Sequence, residues 1–70
     1  MKVECYSGHT ADERPVAFWV GDRRLAVVEV RERWYGPEGS GFRVLAGDGE
    51  VYVLRHLTGD DSWTLETVPP

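Results

Sequence analysis

The stretch "RRLAVVEVRERWYGPEGSGFRV", residues 23–44, decides how this chain folds. Its apolar residues alternate with charged ones, which is the two-residue period of a strand with one buried face. The alternation changes phase part-way. Leu25 and Val27 share one phase, whereas Val28, Val30 and Trp34 share the other. One extra residue near Val28–Glu29, a β-bulge, accounts for the change, because it re-aims every side chain after it. Bulges also bend strands, and a long bent strand lets a small sheet curl on itself. The "YGPEGSG" that follows is a turn with three glycines and a proline. "FRVLA", residues 42–46, then returns as a strand. In this reading Arg31, Arg33 and Arg43 point outward, Trp34 and Phe42 point inward, and Tyr35 begins the turn.

Upstream, "RPVAFWV" at 14–20 is a strand, and "GD" at 21 and 22 is a two-residue hairpin signal. That loop sets Val20 opposite Arg23, Trp19 opposite Arg24, Phe18 opposite Leu25 and Val16 opposite Val27. The last two pairs are apolar and share a side, which supports the register. Trp19 and Arg24 then meet on the other side as a cation–π pair. Downstream, "GDG" at 47–49 is a three-residue hairpin loop with Gly49 left-handed. It places Phe42 opposite Leu54 and Val44 opposite Tyr52. A two-residue loop would set Arg43 against Leu54, so the longer loop is preferred because it keeps the arginine off the apolar face. "KVECYS" reads as a first strand, with Val3 and Cys5 on one face and Glu4 and Tyr6 on the other. "EVYVLRHL" and "SWTLETV" are the last two strands, with Trp63 and Leu65 on one face. Nowhere does an apolar 3.6-residue period persist beyond about two turns, so no long helix is expected.

Seventy residues make one domain, residues 1–70. A chain this short buries only about 60% of its unfolded surface, so most of its large apolar side chains are needed for the core. The fold expected is all-β: five to six antiparallel strands in a meander curled into a small SH3-like barrel. With one cysteine, Cys5, no internal disulfide forms, which fits a reducing cytoplasm. "MKVECYSGHT" has no long apolar run and is not read as a signal peptide. No stretch approaches the ~18 apolar residues of a membrane helix. The net charge is −4, from 12 acidic and 8 basic residues, so bulk charge does not favour nucleic acid. Seven of the eight basic residues are arginine, the side chain suited to flat, bidentate or stacked contacts.

Chemistry is sparse. Zinc asks for four ligands, usually with paired Cys/His spacing; only Cys5, His9 and His56 are soft candidates, and they fall on different elements. They read as a buried thiol and two surface histidines, with no metal and no cofactor. A Cys5–histidine nucleophile needs an activated thiolate and a substrate pocket of ~300 Å³ or more, which a sheet this small has little room to form. No enzyme is expected. Asp12–Glu13 and Asp60–Asp61 are turn carboxylates without calcium spacing. "GPEGSG" lacks the Lys-Ser/Thr and the helix of a phosphate loop.

What remains is recognition. Trp19 beside Arg24 has the composition of a partner-binding hot spot, against the alternative that another strand covers it. Arg31, Arg33, Arg43 and Arg55 fall on adjacent strands as a stripe, with Glu29, Glu32, Glu50 and Glu66 at hand to neutralise it. A solvated face of weak ion pairs is one reading of the stripe. A cationic surface with aromatic neighbours for single-stranded nucleic acid is the other.

"ERPVAFWVGDRRLAVVEVRERWYG", "FRV", "DGEVYVLRH" and "DSWTLE" together resemble a family of small uncharacterised bacterial all-β domains. These are found free-standing or fused at the C-terminus of proteins related to Y-family translesion DNA polymerases. The pattern is Pro15 and Phe18, Trp34, Phe42 to Val44, Gly49 with Tyr52 and Leu54, and Trp63 with Leu65, covering about residues 13–66. These are core and turn positions, so the resemblance implies fold. It implies DNA repair only by analogy, which does not establish function. The expectation is a non-enzymatic binding or adaptor module of the bacterial cytoplasm, off the membrane, contacting a protein partner through Trp19, Arg24, Arg31, Arg33, Arg43 and Arg55. The alternative is a weak single-stranded nucleic-acid accessory protein using the same arginines.

Overall fold

A computed structural model describes residues 1–6, 14–60 and 62–67. Six strands follow one another: β1 Val3–Tyr6, β2 Arg14–Val20, β3 Arg23–Gly36, β4 Gly39–Ala46, β5 Val51–Leu57 and β6 Ser62–Thr67. Each pairs antiparallel with its neighbours in sequence, so the spatial order is β1-β2-β3-β4-β5-β6 and the terminal strands are the edges. The sheet curls into a half-barrel.

β3 makes the curl possible. Its first residues, Arg23 to Ala26, pair with β2, and from Val27 onward it pairs with β4. The first hairpin has the expected register, with Phe18 opposite Leu25 and Trp19 opposite Arg24. The expected Val16–Val27 pair does not form. Val27 lies opposite Ala46 instead, because β3 has already turned from one partner to the other. The bulge foreseen near Val28–Glu29 is present, since Val27 faces Ala46 and Glu29 faces Leu45, leaving Val28 over. Val28 is accordingly 64% exposed.

A second irregularity was not legible in the alternation. Val30 faces Val44 and Glu32 faces Arg43, so Arg31 is also an extra residue. This reverses the faces beyond it. Arg33 lies opposite Phe42 and so shares its concave side, whereas Trp34 lies opposite Gly41 on the convex side. The expectation of Arg33 outward and Trp34 inward is therefore corrected. The strand also runs on to Gly36, so Tyr35 pairs with Ser40 and the turn shrinks to Pro37 and Glu38.

The core fills the concave side. Phe18, Leu25, Phe42, Val44, Ala46, Tyr52 and Leu54 are buried together, with Val3, Val27, Val30, Trp63 and Leu65 packed around them. The Phe18 and Tyr52 rings meet edge to face at 5.2 Å, joining β2 to β5 across the curl. Edge-to-face contact suits the negative face and positive rim of aromatic rings. The second hairpin follows the expected register: Phe42 faces Leu54 and Val44 faces Tyr52. Gly49 has φ +85°, which an L side chain rarely adopts. Asp48 holds this turn. One carboxylate oxygen accepts the Glu50 N–H at 3.0 Å, and the other accepts the Tyr52 hydroxyl at 2.6 Å. The Tyr52 hydrogen bond, then the Glu50 N–H, lowers the Asp48 carboxyl below the usual range. The same bond raises the Tyr52 phenol.

β1 departs from its simple alternation because its register with β2 shifts between Glu4 and Cys5. Val3 packs on the core but Cys5 is exposed, which corrects the expected buried thiol. Among the described residues no helix is long and apolar enough to cross a membrane.

Candidate binding site

The convex face is laid out by the strand register. One row runs Glu32, Arg43, Val53 and Glu66 across β3 to β6, and the next runs Trp34, Gly41, Arg55 and Thr64. Arg43 donates to Glu32 at 2.7 Å. Arg55 pairs with Glu66 at 3.4 Å. Val53, opposite Arg43 in the first row, is only 8% exposed although it faces away from the core. Arg31, on its bulge, is exposed and 4.0 Å from Glu29. The expected arginine stripe is thus divided. Arg43 and Arg55 share the convex face, each with a carboxylate, and Arg33 lies on the concave side, its guanidinium 5.2 Å from the centres of both the Tyr35 and Phe42 rings.

Trp19 is half-buried, and it is covered in part from the start of β1. Lys Nζ of residue 2 stands 4.5 Å from the ring centre, and the Arg24 guanidinium 5.8 Å. Arg24 is held in turn by Glu4 at 3.1 Å. The Trp19 N–H donates to the Lys2 carbonyl at 3.1 Å, which ties the start of the chain alongside. The expected Trp19–Arg24 pair is present. It is a capped contact, with the cations spread over the indole.

One concavity among the described residues was not foreseen. At the β3–β4 turn, Trp34, Pro37, Arg55, His56 and Leu57 line an open cleft of about 230 Å³. Two local features build it. Gly41 has no side chain, and the Trp34 indole occupies the space its Cβ would take, so the ring lies flat over the strand. The turn is also anchored, since the Glu38 carbonyl accepts both the Thr58 N–H at 3.1 Å and the Thr58 hydroxyl at 3.3 Å. Arg55 is the one expected contact residue that this cleft includes. The missed signal was Gly41 itself. A glycine within a strand marks a close approach, whereas in sequence it reads as the tail of a glycine-rich turn.

On the concave side, Tyr35, Ser40, His56 and Trp63 form the row at the open end. His56 is half-buried and stacks on Trp63 at 4.6 Å, which corrects its reading as a surface histidine. His9 lies outside the described residues. Among the described residues no three His, Cys, Asp or Glu side chains gather as metal ligands would.

These features define a class: a small antiparallel half-barrel with a tryptophan–arginine cleft on its convex face. Comparison with protein-family models, with curated proteins and with solved structures finds no match to this chain.

Proposed function

We propose that this protein is a non-enzymatic binding module of the bacterial cytoplasm, an adaptor that docks an extended segment of a partner protein in the Trp34 cleft. The observation that carries this reading is the indole held flat over Gly41 with Arg55 beside it. An immobilised aromatic surface costs little ordering on binding, and tryptophan and arginine are the side chains that most often anchor interfaces. The segment sets an apolar side chain or a proline against Trp34. It brings a carboxylate to Arg55, displacing Glu66 from an exposed pair worth under about 1 kcal/mol. Trp19 with Arg24 is a second contact patch of the same composition.

Selection from a displayed random-peptide library on the immobilised protein tests this. Binders should shift amide NMR peaks around Trp34 and Leu57, be little affected by salt, and weaken at least about tenfold on Trp34→Ala, as a truncated interface tryptophan does. Binders that leave those peaks unmoved would refute the assignment.

A second reading, a single-stranded nucleic-acid accessory protein related to DNA repair, is favoured by one feature. Arg33 lies against Tyr35 and Phe42, and His56 against Trp63, on the same concave side, as bases and aromatic platforms would require. The carboxylates beside Arg31, Arg43 and Arg55 weaken it. A short oligonucleotide that moves the Tyr35 and Trp63 peaks at low salt, and releases them at high salt, would favour it over the adaptor.

A further inference from the structure

Strand β6 is an edge of the sheet, and its pairing with β5 is unbroken from Ser62 to Thr67. Among the described residues no strand pairs with its other side. Natural edges are commonly protected by bulges, by brevity, by charged side chains (lysine above all) or by proline. The opposite edge follows this rule: β1 has four residues, an irregular register and Lys2 at its start. β6 carries a single charge, Glu66, and over its six residues, SWTLET, it has no bulge, lysine or proline. Its core-facing side chains, Trp63 and Leu65, pack against the core and are only half-buried.

We infer that β6 is a strand-addition site and that its occupant is the β6 of a second copy of this chain. The sequence of β6 is self-complementary about Thr64. In a continuous sheet with both cores on the same side, opposite residues must share a face, so core-facing positions pair only with core-facing ones. Centring the two-fold axis on Thr64 sets Trp63 opposite Leu65 of the other copy and Ser62 opposite its Glu66, with Thr64 facing itself. No like charges oppose each other. Threonine across from threonine is a favourable cross-strand pair. The pairing extends the concave apolar surface from one half-barrel into the next and uses the row of backbone groups that β6 presents.

Sedimentation equilibrium across a concentration series tests the inference, with Thr64→Lys as the variant. Thr64 is exposed, and lysines facing each other at the axis raise the dimer dissociation constant about two- to fivefold, the consequence of a like-charge pair directly opposite. Circular dichroism melting checks that the monomer fold is retained. A second pair of variants reads the register itself. In a Cys5→Ser background, Thr64→Cys should oxidise readily to a disulfide-linked dimer, since directly opposed residues lie ~4.5–5.5 Å apart. Ser62→Cys, opposite Glu66, should not. A chain that stays monomeric at all concentrations, a dimer indifferent to Thr64→Lys, or equal cross-linking at 62 and 64 would each overturn the proposal.

Discussion

Substituting Gly41 with alanine tests the account of the Trp34 cleft, because the sign of its effect depends on a side chain on another strand. The indole of Trp34 lies where a Cβ at position 41 would go, touching it through Cε2, Cζ2 and Nε1. A methyl there must push the ring outward or shift the strand, an overpacking cost of ~1–3 kcal/mol. Against this, replacing a strand glycine restricts the unfolded chain and returns roughly 0.5–1 kcal/mol. Gly41→Ala alone should therefore destabilise by about 1 kcal/mol, a fall in Tm of ~4–8 °C for a domain of this size. Once Trp34 is alanine the obstacle is gone, and the same change should stabilise by roughly 0.5–1 kcal/mol. Urea unfolding of the wild type, both single variants and the double variant gives the coupling, expected near 2 kcal/mol. A coupling below about 0.5 kcal/mol, the level at which distant sites add, would mean that the ring does not rest on Gly41 and that the cleft is not held as described.

Two further outcomes follow from the core and from the β4–β5 turn. Leu54 has no exposed surface and lies between Phe42 and Leu65, so Leu54→Ala should cost ~2–5 kcal/mol. That is a large share of the roughly 4–10 kcal/mol available to 70 residues, and it should show as lost amide dispersion in NMR spectra. The Asp48–Tyr52 bond makes stability depend on pH at both ends. Asp48 is lowered in the folded protein, so its contribution is complete above the unfolded carboxyl range near 4 and lost as the pH falls through the folded value. Tyr52 is raised, so its contribution is complete below about 10 and lost as the pH rises through the folded value. Tyr52→Phe should flatten both limbs in urea midpoints measured from pH 2 to 11; limbs unchanged by the substitution would place the titration elsewhere.

By itself the sequence determined where the strands lie, two of the turns, and the register beside the loops of two hairpins. These depend on information carried within a few residues. The two-residue alternation names a strand, Gly21–Asp22 fixes one loop, and Gly49 with its left-handed backbone fixes another. The bulge at Val28 was legible because valines on both sides of it revealed the change of phase. The tertiary structure alone decided which way the far end of β3 faces. Between Val30 and Trp34 there are only charged side chains, so the second extra residue leaves no mark in the hydrophobic pattern. It becomes visible only in the pairing with β4. From that one residue follow the place of Arg33 against Phe42, the place of Trp34 over Gly41, and the cleft between Trp34 and Arg55. A face is a property of two strands together. One strand's sequence specifies it only as far as the next uncounted residue.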